Sequence, residues 1–166
     1  MTALDLIRKY TEFNVWANQQ MSDWLEGRDQ SLMEAELKSS FPTINKTLAH
    51  IWFGEHIWMK RILGQPFENI NLVCEGKPST FICEGLLHQS REFAEFAGKL
   101  TEEDASGMVN YKLMSGESSA SPIVEIIHHI MNHGSYHRGQ LVTMGRELGF
   151  TDPPKTDFIH FCRLKI

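Results

Sequence analysis

Three cysteines, Cys74, Cys83 and Cys162, are all that this 166-residue chain carries, and none forms a C-x-x-C pair. An odd number of scattered thiols excludes a disulfide framework and fits reduced cysteines in a cytoplasm. Clustered positive charge is missing too: 16 Lys and Arg stand against 21 Asp and Glu, for a net charge of −5 without a basic run. Phosphate neutralisation needs a clustered basic face, so no nucleic acid and no anionic membrane surface is expected as partner. No apolar run approaches the roughly 18 residues that a spanning helix requires. Asp5, Arg8, Lys9 and Glu12 break up the N-terminal segment, so no signal peptide is expected. Repeats, low-complexity tracts and linkers are absent as well. One cytoplasmic domain over residues 1–166, long enough to bury a core, is the resulting expectation.

What is present reads as helices. Leu6, Tyr10, Phe13, Ala17, Met21 and Trp24 recur at helical spacing and predict a first helix over Leu4–Glu26, stopped by Gly27. A second helix follows Pro42, with Thr43 as N-cap and Ile44, Leu48, Ile51, Trp58 and Ile62 as its apolar stripe, and it ends near Gly64. Gly64, Pro66, Gly76 and Pro78 make residues 64–80 a loop. The third helix spans Thr80–Leu100. Alternating Val109, Tyr111 and Leu113 ahead of Ser115-Gly116 predict a short β-hairpin within Gly107–Ser121. The fourth helix opens with Ser121 as N-cap and Pro122 at its first position, and stops at Gly149. Four amphipathic helices predict an all-α fold, an antiparallel four-helix bundle with a hairpin between helices three and four.

Four of the eight histidines fall within ten residues, at His128, His129, His133 and His137. At about 100° of rotation per residue, Ile123, Ile127, Ile130, Leu141 and Leu148 define the buried stripe of the fourth helix. His133 and His137 lie inside it, one turn apart on the same face. Two imidazoles on an apolar face need partners: either a dication takes one nitrogen from each, or each is a core histidine bonded to a Ser, Thr or carbonyl. His-x-x-x-His is a recurrent metal-binding spacing, but Gly134 stands where a zinc protease carries its glutamate base. A third ligand belongs on a facing helix. His50, at the shoulder of the second helix's stripe beside Thr47 and Gly54, is the best placed, the alternative being a packing or capping histidine. His56 and His128 phase outward and read as solvent-facing. His129 reads as a non-ligand, either touching a ligand ring or packing. Tyr136 and Gln140 share its edge and could contact a histidine nitrogen or form a helix–helix or dimer contact. Glu55 is a weak general-base candidate against an ion pair or polar group at the bundle edge. Three nitrogen ligands leave coordination positions open, which favours water or substrate there over a closed structural site.

At these residues the chain resembles the DinB/YfiT-like family over most of its length. The segment Phe13-Asn14-Val15-Trp16-Ala17-Asn18 is similar to the family's aromatic-Asn-x-Trp-Ala-Asn stretch. His50, Glu55, Trp58 and Arg61 resemble its His…Glu-x-x-Trp…Arg pattern. The most specific piece runs from His129 to Gln140 and follows the block H-x-x-N-H-x-x-x-H-R-G-Q, while Pro154–Ile159 looks like the closing segment. Pro42 ahead of Thr43 departs from the pattern without endangering His50. The resemblance implies a bundle in up-down-down-up order, a homodimer, and a metal held by His50, His133 and His137, with structural roles for Asn132 and Arg138.

The expected function is a metal-dependent enzyme that activates a small thiol or water, of thiol S-transferase or hydrolase type, on a small-molecule substrate. The alternative is a non-catalytic metal-binding or stress-response protein. All-nitrogen ligation suits zinc, nickel, copper or iron.

Overall fold

The computed structural model describes residues 2–164. Helix α1 (Ala3–Leu25) begins with a reciprocal cap, in which Thr2 Oγ1 accepts the Asp5 N–H and the Asp5 carboxylate accepts the Thr2 N–H. One turn, α2 (Gln30–Met33), interrupts the following connection. Thr43 caps α3 (Ile44–Ile62) as expected, its hydroxyl accepting the Lys46 N–H at 3.1 Å. A turn of helix, α4 (Ile70–Val73), lies in the stretch read as loop, and α5 (Ser79–Lys99) follows. The short α6 (Glu102–Ser106) precedes the hairpin of β1 (Met108–Lys112) and β2 (Ser118–Pro122), paired antiparallel with Val109 opposite Ser121. Helix α7 (Ile123–Glu147) and the closing α8 (Phe158–Leu164) complete the chain.

The start of α7 differs from the sequence expectation. Ser121 is still in the strand, and its hydroxyl lies 3.1 Å from the Tyr111 phenol rather than on a helix N–H. Pro122 is the cap residue and makes no side-chain cap bond. The first helical N–H, that of Ile123, donates instead to the Gly107 carbonyl at 3.0 Å, so the hairpin itself satisfies an orphan donor.

Named contacts fix the helix directions. Arg8 on α1 reaches the Leu100 carbonyl at 2.6 Å and Arg91 reaches Gln19, so α1 and α5 are antiparallel. Thr47 meets Met144 while Trp58 meets His129, which makes α3 and α7 antiparallel. Tyr10 faces His128 and Trp24 faces Phe150, so α1 and α7 run together. Trp52 against Phe81 and His56 against Gln89 set α3 and α5 parallel. In chain order the four long helices run up, down, down, up.

The apolar stripes meet in two clusters. One centres on Met21, Ile44, Leu48, Ile82 and Leu141, the other on Phe93, Ile126, Ile127, Ile130 and Met131. A smaller aromatic cluster docks α8 on α1, with Phe158 edge-on to Tyr10 and Phe13. Among the described residues, no helix is long and apolar enough to cross a membrane.

Candidate metal centre

Between the two apolar clusters, α3 and α7 bring His50, His133 and His137 together. Candidate ligand atoms of the three rings lie within 4.8 Å of one another, and among the described residues no other group of three His, Cys, Asp or Glu side chains is so arranged. Ring centroids are 4.8 Å apart for His50–His133, 4.7 Å for His50–His137 and 4.5 Å for His133–His137. The Nε2 atoms of His50 and His133 are 2.9 Å apart, so one ring donates a proton to the other. His137 is buried, and the other two rings are half-buried.

Burial keeps these rings neutral. It lowers His133 to about 3, with the charges of His137, His50 and His129 adding to the effect. His50 falls to about 4 through burial and then His137. His137 is also lowered by burial, while its bond to Gln140 acts in the opposite direction. Neutral imidazoles are the form that binds a cation.

The second ring nitrogen of His137 is assigned a task. Its Nδ1–H donates to Gln140 Oε1 at 2.7 Å, which leaves Nε2 with its lone pair free. Gln140 is held in turn, its Nε2 donating to Ser40 Oγ and Tyr136 OH, both at 3.2 Å. Phe41 stacks on His50 with centroids 3.9 Å apart and meets His137 edge-on at 5.6 Å. Gly54 leaves space for the His133 ring, because a Cβ there would lie 2.7 Å from Cε1.

These features suit a divalent cation. Ligand nitrogens 2.0–2.1 Å from a tetrahedral centre stand roughly 3.3 Å apart, so His50 and His133 need open by only a few tenths of an ångström. Such a cation would replace the proton that the two rings now share.

The remaining histidines lie outside this group. His129 is exposed, 6.1 Å from His133 by ring centroids and edge-on to Trp58. His128 is exposed beside Tyr10. His56, read as solvent-facing, is half-buried instead: Nδ1 pairs with Gln89 Oε1 at 3.1 Å and Nε2 accepts the Glu68 N–H at 3.3 Å. Helical phasing missed this because α5 covers that flank of α3.

Glu55 is neither at the bundle edge nor turned toward the triad. At 1% exposure it is enclosed, and its oxygens face α1 and α5. Oε1 accepts from Asn14 and Asn18 at 2.8 and 3.0 Å, and Oε2 lies 2.8 Å from Ser90 Oγ. The two asparagines pass the contact on, since Arg138 Nη1 donates to both of their Oδ1 atoms at 2.8 Å. Gly134 makes room for this bridge: a Cβ there would stand 3.0 Å from Arg138 Nη1. Burial raises Glu55 against the opposing pull of Asn14, Ser90, Arg138 and Asn18, and it lowers Arg138 to about 10. Positions 133–138 of α7 therefore serve two centres, with His133 and His137 facing α3 and Arg138 turned into the core. Sequence reasoning missed Asn14, Asn18 and Ser90 as members. Their signal was two asparagines four residues apart on the apolar face of the first helix.

Comparison with known proteins agrees with this architecture. Protein DinB of Bacillus subtilis (strain 168) is 27% identical over 161 residues, covering 93% of this chain and 92% of that protein. YfiT from Bacillus subtilis, described as a probable metal-dependent hydrolase with an unusual four-helix bundle topology, superposes with a TM-score of 0.68 at 9% identity, over 87% of this chain and 89% of that one. A DinB-like protein from Bacillus cereus superposes with a TM-score of 0.62 at 16% identity, over 84% and 90% of the two chains. At such identities these structures speak for the fold alone. The DinB family profile matches residues 1–165, and the chain belongs to the DinB family.

Proposed function

We propose that this chain is a divalent-metal-dependent enzyme in which His50, His133 and His137 hold the cation and a water or low-molecular-weight thiol attacks a small electrophile. The carrying observation is that three neutral imidazoles converge from two helices with no fourth His, Cys, Asp or Glu ligand beside them among the described residues. Closed structural zinc sites use four protein ligands, whereas catalytic sites use three and leave a position for the reactant. A divalent cation supplies Lewis acidity and lowers the pKa of a nucleophile brought to it.

The chain's own residues do the rest. Gln140 fixes the His137 tautomer, Phe41 shields one face of His50 from water, and Gly54 sets how closely His133 approaches α3. Glu55 takes no part as a base, because both of its oxygens are engaged by side chains of α1 and α5. All-nitrogen ligation suits zinc, nickel or iron. The probable metal-dependent hydrolase description of YfiT supports the hydrolytic branch.

The test is metal content and turnover in protein purified without a histidine tag. After supplementation with zinc, nickel, iron and manganese, about one equivalent is expected, and less than about a tenth sinks the proposal. Activated esters with water, and small electrophiles with thiols, should then react in wild type and not in His133→Ala. If the metal binds and raises the melting temperature while none of these substrates reacts, the protein is a metal binder and not an enzyme.

A further inference from the structure

We propose that Asn14 and Asn18 are positioning residues for the metal centre, a double amide bridge from α1 that fixes how far α3 stands from α7 where His133 meets His50. This rests on the triad holding a cation. Glu55 on α3 and Arg138 on α7 are both sealed in the core, yet no hydrogen bond joins them directly. The two asparagines stand between them, each 1% exposed. Each amide donates from Nδ2 to Glu55 Oε1 and accepts from Arg138 Nη1 on its Oδ1. Turning either amide over would set its NH2 against the guanidinium, donor against donor, so both are locked in one orientation.

The bridge lies at the level of the triad. A Cβ on Gly134 would stand 3.0 Å from Arg138 Nη1 and 3.1 Å from Asn14 Oδ1, and a Cβ on Gly54 would stand 2.7 Å from His133 Cε1. Gly54 directly precedes Glu55, Gly134 directly follows His133, and His137 directly precedes Arg138. The residues that crowd at the crossing and those that reach α1 are chain neighbours, so a shift of either helix against α1 is carried to the ligand rings. An aliphatic side chain of the same size would fill the space. Only a tip that offers both a donor and an acceptor can bond to the two partners at once. Ser90 shares the network without spanning the crossing: it comes from α5, and its hydrogen bonds go to Glu55, Asn18 and Leu86.

Calorimetric zinc titrations of wild type, Asn14→Leu, Asn18→Leu and Ser90→Ala separate positioning from stability, with thermal melts of the metal-free proteins beside them. All three variants should melt below wild type. Zinc affinity should fall by about tenfold or more in each asparagine variant, as for other groups that orient ligands, and by less than about twofold in Ser90→Ala. The visible absorbance of bound cobalt follows ligand geometry, so it should change in the asparagine variants and be kept in Ser90→Ala. Asn14→Ser is a milder change whose hydroxyl is too short for both bonds. It should lose zinc affinity in the same direction, and it keeps the test open if the leucine variants do not fold. Wild-type affinity and an unchanged cobalt spectrum in folded asparagine variants would overturn the proposal. So would an equal loss in Ser90→Ala, which would make the network a stabiliser and nothing more. A wild type that takes up no zinc would sink the metal centre itself, and the positioning role with it.

Discussion

His133 occupies the space that a side chain on Gly54 would take, with its Cε1 2.7 Å and its Nδ1 2.9 Å from where a Cβ would lie. The two helices therefore approach closely enough to bring His133 onto His50 because one of them has no side chain at the crossing.

Gly54→Ala should accordingly separate folding from ligation. Alanine is the better helix former by about 1 kcal/mol, so α3 should persist, but the His133 ring must shift away from its neighbours. Zinc affinity should fall by at least about tenfold, as expected for a displaced ligand. Gly139→Ala is the control. Nothing lies within 4 Å of its added Cβ, so it should gain roughly 0.5–1 kcal/mol and keep its zinc affinity. Calorimetric zinc titration reads both, and wild-type affinity in Gly54→Ala would refute the crowding argument.

Gln140→Leu removes the acceptor for His137 Nδ1–H and leaves that ring free to turn. Zinc affinity should drop by about 10–100-fold with little change in the melting temperature of the metal-free protein. An equal loss of stability and affinity would mean that Gln140 serves the fold and not the ligand.

Part of this arrangement was legible from spacing, and the resemblance to the DinB/YfiT-like family made the three-histidine set the expectation. His133 and His137 fall in the apolar stripe of the fourth helix, and that periodicity also fixed where the long helices run. His50 was reached because Thr47 and Gly54 leave space beside it. Phe41 was not legible: it lies in an irregular connection, and only the packing of that connection over α3 brings it onto His50. Glu55 was read at the bundle edge and given the wrong surroundings. Its partners come from α1 and α5, and a single helix's phase cannot say which neighbours enclose a position. Ser121 failed as a cap for a similar reason, since pairing with β1 outcompeted the local capping signal.

Metal binding should resist acid. Protons compete with a cation for imidazole nitrogens, and three ordinary histidines would lose roughly a thousandfold in affinity between about pH 7.5 and 5.5. Burial has already taken His50 to about 4 and His133 to about 3, so both rings stay neutral over that interval. Cobalt titrations followed by visible absorbance should show a loss below about tenfold, and a thousandfold loss would contradict the burial argument. The same shifts act on folding with a definite sign. Folded values below the ordinary 6.5 give stability that is present above 6.5 and is lost as pH falls toward 4, so the metal-free protein should weaken over that window.

Glu55→Gln isolates a contribution of opposite sign. Ser90 Oγ has one proton and two acceptors in range, Glu55 Oε2 at 2.8 Å and the Leu86 carbonyl at 2.9 Å. Both contacts become full hydrogen bonds when Glu55 carries a proton of its own, which agrees with the direction in which burial moves it. A carboxyl raised above its ordinary 4.5 in the folded state gives stability that is complete below 4.5 and is lost as pH rises through the folded value. Glutamine does not titrate and offers the same acceptor and donor, so Glu55→Gln should gain on wild type as pH climbs from 4.5. The histidine contributions are common to both proteins and cancel in the difference. Urea unfolding at a series of pH values measures it. A constant difference would mean an unshifted carboxyl, and a difference of reversed slope would mean that Arg138, working through Asn14 and Asn18, outweighs burial.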